Sequence, residues 1–176
     1  MKLLELLGIS EKEFLSRLNE IDVKPDDPSI QFELDVAYFN IKDLRYKCEF
    51  TRSLSDDNKS ILEFKFKLIN NPDKPTRNNF DTEQQYQIAL HKSQVGITKT
   101  GNSFMVFSKV TSALRNYLNK NSPSYVTFEG DDDHKKLYQT LIKRLKNYFP
   151  DYKNLDKNPI TKKQLGDGEF WLEKVS

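Results

Sequence analysis

The sequence predicts an α+β protein built on a single mixed, mainly antiparallel sheet flanked by helices. Two changes of hydrophobic period carry that reading. Apolar residues alternate with polar ones through 30–68, the two-residue period of strands with one buried face. They recur at three- and four-residue spacing through 104–118 and again through 137–145, the period of helices.

Taken in order, residues 1–24 form an N-terminal helical segment. A first short helix ends at Gly8, and Ser10 with Glu13 makes a capping-box pattern that opens a second, with Phe14, Leu15 and Leu18 on one face. Pro25 and Pro28 stop it, because proline cannot donate the next helical hydrogen bond. An antiparallel meander over 29–69 follows. Ile30, Phe32, Leu34, Val36 and Tyr38 make a first strand with Gln31, Glu33 and Asp35 on its polar side. Tyr46, Cys48 and Phe50 make a second, and Leu62, Phe64, Phe66 and Leu68 a third. Ser55 to Asn58 supply turn residues between the last two. Residues 70–81, with Pro72 and Pro75, read as a long polar loop.

The stretch 85–149 reads as strand, turn, helix, strand, helix. Tyr86, Ile88 and Leu90, continued by Val95 and Ile97, make the fourth strand. Thr100, Gly101, Asn102 and Ser103 make a tight turn into a helix whose face is Phe104, Phe107, Val110, Leu114, Tyr117 and Leu118. That helix ends by Asn121, before Pro123. Tyr125 to Phe128 form a short buried strand, and Asp131 to Asp133 place negative charge at the start of a last helix carrying Leu137, Leu141, Ile142 and Leu145. Residues 150–176 are a polar tail with a closing strand at Phe170, Trp171, Leu172 and Val175. All 176 residues fit one domain, since domains commonly run to about 100–150 residues.

Composition narrows the function. Twenty-eight basic residues against 26 acidic ones leave a net charge of +2, far from the excess of a dedicated DNA-binding domain. The single cysteine, Cys48, cannot form an internal disulfide, and Glu5 interrupts the first apolar run, so the sequence predicts a cytoplasmic protein with no membrane partner. Lys135, Lys136, Lys143, Arg144 and Lys146, interleaved with Tyr138 and Tyr148, admit a nucleic-acid surface. A solvated helix face whose cations complement the dipole accounts for them more simply. His91 and His134 are too isolated for a metal site.

The turn at 98–103 is the one chemical feature. A strand that feeds a helix through small residues turns backbone N–H groups outward at the positive end of the helix dipole, a setting suited to pyrophosphate. Gly101 allows close approach, and Ser103 caps the helix or donates to a phosphate. The plainer alternative is an ordinary turn and N-cap. Tyr138 likewise reads either as a general acid or as a core tyrosine beside Leu137 and Leu141. Glu83, His91 and Glu129 stand near predicted strand ends as candidate bases.

These residues resemble the GNAT acyltransferases, and in particular small GNAT-like proteins of tailed phages and prophages. The family's turn reads Gln/Arg-x-x-Gly-x-Gly/Ala; Thr98 stands at the first position, Gly101 at the glycine and Ser103 at the last. Leu137-Tyr138 stands where the family carries a Leu-Tyr pair. Resemblance to the phage group runs through Gly101 to Val106, Pro123 to Phe128 and Lys136 to Leu145. It implies an N-acyltransferase that uses acetyl-CoA or another acyl-CoA in the host cytoplasm. Thr98, Gly101, Asn102 and Ser103 would bind the cofactor, Tyr138 would protonate the thiolate, and an amine, small or on a protein, would accept the acyl group. The other implied reading is a GNAT-shaped phage protein without catalysis that binds a protein partner as inhibitor, adaptor or virion component.

Overall fold

A computed structural model describes residues 26–70, 75–94, 103–129 and 145–175, together with the single positions 13, 16, 23, 24, 139 and 142. Seven strands form one sheet: β1 (Gln31–Glu33), β2 (Val36–Ile41), β3 (Leu44–Leu54), β4 (Ser60–Leu68), β5 (Tyr125–Glu129), β6 (Tyr152–Asn154) and β7 (Glu169–Lys174). Their spatial order is β1-β2-β3-β4-β5-β7-β6. Every neighbouring pair is antiparallel except β4 and β5, which run parallel. Parallel neighbours need a crossover, and here it contains α1 (Glu83–Gln94) and α2 (Ser103–Asn121). A short helix, α3 (Leu145–Tyr148), precedes β6. The single mixed sheet with helices is thus the fold class that the alternating periods predicted.

The core lies between α2 and one face of the sheet. Val106, Phe107, Val110, Ala113, Leu114, Tyr117 and Leu118 recur at helical spacing, and all are buried against Phe39, Cys48, Phe50, Leu62, Phe64, Val126 and Leu172. Burying each large apolar side chain contributes about 1.5–3 kcal/mol, which is why this helix keeps its place. Tyr46, Cys48 and Phe50 on β3 and Leu62, Phe64 and Leu68 on β4 are all buried, as their alternation predicted. The turn between them also forms: Asn58 donates its amide to the Ser55 carbonyl, and Asn58 adopts φ 58°. No described helix is long and apolar enough to cross a membrane.

Three expectations fail, each for a local reason. The first strand predicted over Ile30–Tyr38 is instead two strands joined by a two-residue turn, Leu34-Asp35, with Glu33 paired to Val36 and Phe32 to Ala37. Such a turn reverses the odd-even phase: Ala37, Phe39 and Ile41 face the core rather than Val36 and Tyr38, and Leu34, at φ 55°, is 97% exposed. The predicted strand through Tyr86, Ile88 and Leu90 is part of helix α1. Thr82 and Gln85 cap it reciprocally, the Gln85 amide donating to Thr82 Oγ1 at 3.2 Å and the Thr82 amide to Gln85 Oε1 at 3.3 Å. Glutamine, alanine, leucine and lysine in Glu83–Gln94 then favour the helix, overriding three alternating apolar residues. Finally, the polar tail contains an unforeseen strand, β6, paired with β7 and anchored by Tyr152, whose hydroxyl donates to the Pro123 carbonyl at 3.0 Å.

Candidate functional site

The seam between β4 and β5 is the one place among the described strands where pairing stops before both strands do. Ile61, Leu62 and Glu63 pair with Tyr125, Val126 and Thr127. Among the described residues, β4 then continues for five residues to Leu68 with no partner on that side, while Phe128 and Glu129 pair only with β7. Phe64 and Phe128 still face the core, so the parting begins over packed side chains. In an extended strand, alternate residues turn their N–H and C=O groups to each side. The end of β4 therefore presents amide donors and acceptors along the seam that β5 does not use.

The sheet face away from α2 is charged and largely self-compensating. Glu49 on β3 receives Lys47 at 2.7 Å and Lys67 at 3.1 Å, and Glu63 receives Lys65 at 2.7 Å. The Lys47 ammonium holds the Glu49 carboxyl below the usual range despite partial burial, and Glu49 in turn raises Lys47. Glu63 raises Lys65, with Glu129 adding a smaller attraction. Arg45 instead lies 4.8 Å over the Tyr38 ring. A hollow of about 390 Å³ on this face is lined by Glu33, Tyr38, Arg45, Lys47, Lys67, Leu68 and Ile69.

On the core side, where α2 ends, Asp35 gathers a second cluster. The Tyr117 hydroxyl donates to Asp35 Oδ1 at 2.6 Å and Arg52 to Oδ2 at 3.0 Å. The Tyr117 bond is the main cause lowering the Asp35 carboxyl, with Arg52 assisting. Burial, then the Asp35 charge, push Tyr117 up to about 12. Its ring stacks on Phe50 with centroids 4.1 Å apart. Sequence reasoning missed this pair because Asp35 read as a polar-face strand residue and Tyr117 as plain core. Only the turn, which brings Asp35 back over β3, joins them.

The predicted site residues fare unevenly. Thr98, Gly101, Asn102 and Tyr138 lie outside the described residues, as do Lys135, Lys136, Lys143, Arg144 and His134. Ser103 is the first residue of α2. Of the predicted fourth strand, Tyr86, Ile88 and Leu90 lie in helix α1, which is described to Gln94, while Val95, Ile97 and the rest of 95–102 lie outside the described residues. Glu83, expected near a strand end, opens α1, paired with Arg77 at 2.7 Å and bonded by Gln87 at 2.6 Å. Gln87 first and Arg77 second lower its carboxyl, which makes it a poor base. Glu129 does end a strand, β5, and is exposed. Cys48 is fully buried, and desolvation pushes its thiol far up, out of reach for nucleophilic work at neutral pH.

No protein-family model, curated protein or solved structure matches the chain.

Proposed function

We propose that this protein is a GNAT-like N-acyltransferase that takes an acyl group from acyl-CoA to an amine. The observation that carries the reading is the early end of the β4–β5 pairing. It is the only parallel seam among the described strands, and Phe64 and Phe128 beside it share the buried core with the helix that starts at Ser103. A pantetheine chain is extended and holds two amides. It would lie along the unpaired end of β4 as a short added strand, main-chain groups supplying the affinity. The diphosphate would then fall near the amides around Gly101, with Tyr138 offered to the departing thiolate, as the resemblance implies. Fold alone does not choose an activity, so the reading stands on the seam and on the glycine turn rather than on the sheet order.

The test is thermal denaturation with and without CoA and acetyl-CoA. A ligand that binds the native state at about one hundred times its Kd adds roughly 2.7 kcal/mol, which for a chain of this size raises Tm by several degrees. A flat response to both compounds at saturating concentration overturns the acyl-CoA reading and leaves the non-catalytic, protein-binding one.

A further inference from the structure

The hollow on the exposed face of the sheet carries two opposite charges that no described side chain neutralises. Among the described residues, Arg45 meets only the Tyr38 ring, 4.8 Å away, and Glu33 has no ion pair or hydrogen bond from its side chain. Both are exposed, and both line the same space of about 390 Å³, a volume within the range of small-molecule sites, about 300–1,000 Å³. Lys47 and Lys67, also in the lining, share the single carboxylate of Glu49, so the hollow keeps a positive bias on the Arg45 side.

The register fixes the layout. Glu33 pairs with Val36 and Arg45 with Asn40, so the two charges are rooted two strands apart and offset by the four residues from Val36 to Asn40. With about 4.8 Å between strands and 3.3 Å per residue, their Cα atoms stand roughly 16 Å apart. Tyr38 sits midway between those positions on β2, with the Arg45 guanidinium over its ring, and the half-exposed Ile69 extends the lining beyond Arg45 just past the end of β4. A carboxylate at one end, cations at the other and an aromatic floor between them match a ligand of the same pattern reversed.

We propose that this hollow binds a small zwitterion whose amine and acid are separated by an apolar stem, such as an ω-amino acid. The amine goes to Glu33, the stem passes the Tyr38 ring, and the acid goes to the Arg45 guanidinium held over that ring, with Lys47 and Lys67 behind it. The site rests on its own geometry and not on the acyl-CoA reading.

Titration calorimetry of the whole chain with aminocaproate, caproate, hexylamine and glycine tests it. Aminocaproate is expected to bind at least about tenfold more tightly than either single-charge analogue or glycine, each lost charge contact being worth on the order of 1.4 kcal/mol. Glu33→Gln should reduce its affinity to that of caproate, and Arg45→Gln to that of hexylamine. Both side chains are exposed, so both variants should melt like the parent. Equal binding of caproate and aminocaproate, unaffected by Glu33→Gln, would make the hollow a plain anion surface and overturn the proposal. Absence of saturable binding by any of the four compounds would overturn it as well.

Discussion

At the scale of single residues, the most consequential contact is the one between Tyr117 and Asp35. It ties the C-terminal half of α2 to the β1–β2 turn, two parts of the chain 82 residues apart in sequence. Tyr117→Phe keeps the stack on Phe50 but deprives a partly exposed carboxylate of its shortest donor, and is expected to cost about 1–2 kcal/mol in urea unfolding. Arg52→Gln removes the other, more exposed partner and should cost less than Tyr117→Phe, because water screens the pair. A larger loss for Arg52→Gln than for Tyr117→Phe would reverse this ranking and place the ion pair, not the buried hydroxyl, in charge of the turn. None of this was legible beforehand. A residue's role in a cluster depends on which strands are neighbours, and single-residue chemistry carries no such information.

Among the elements, legibility followed the strength of the local signal. β3, β4, α2 and β5 were readable because Tyr46, Cys48 and Phe50, then Leu62 and Phe64, alternate without interruption, and because the α2 face repeats over four turns. The β1–β2 hairpin was not, since the turn falls on Leu34, a residue with no turn preference, and the alternation continues across it. Helix α1 was misread although its start signal, Thr82 followed three residues later by Gln85, stood in the sequence. The period of Tyr86, Ile88 and Leu90 outweighed it. The cap is therefore open to a direct check. Thr82→Ala should destabilise α1 by about 0.5–2 kcal/mol. Hydrogen exchange of the amides in Glu83–Gln94 should quicken by about two- to thirtyfold, while the amides of β3 stay protected. Unchanged exchange in α1 would mean that packing, not the cap, starts the helix.

For the molecule as a whole, many small charge pairs set the response to pH. The carboxyls of Asp27, Asp35, Glu49, Glu169 and Glu173 are all held below their ordinary values. At Asp27 burial works the other way but is outweighed by Lys109 and Ser29, and at Glu169 the Gly166 amide is the chief cause. A carboxyl lowered in the folded state takes up its proton first in the unfolded chain. Its contribution is present above the unfolded value and is lost as pH falls through the folded one. Stability should thus be flat near neutrality and decline below about pH 5. Tyr117 and Tyr152 are both raised to about 12, in each case chiefly by burial, and act in the opposite sense. Their contribution is present below the ordinary value of 10.0 and is lost as pH climbs from there through the folded values. Urea midpoints across pH 3–11 check both limbs, and a midpoint that holds steady from neutrality down to pH 3 would contradict the first.

Also at this scale, the sheet class was legible and the order of its strands was not. That β5 lies parallel to β4 and antiparallel to β7 is decided by contacts between segments forty or more residues apart. The seam that this order creates is what the functional account depends on. Its most direct test is the binding of CoA to the parent chain and to Gly101→Trp by titration calorimetry. Saturable binding by the parent, abolished in a variant that melts at the same temperature, is the predicted result. A parent that takes up no CoA, or a variant that binds it equally well, would contradict it.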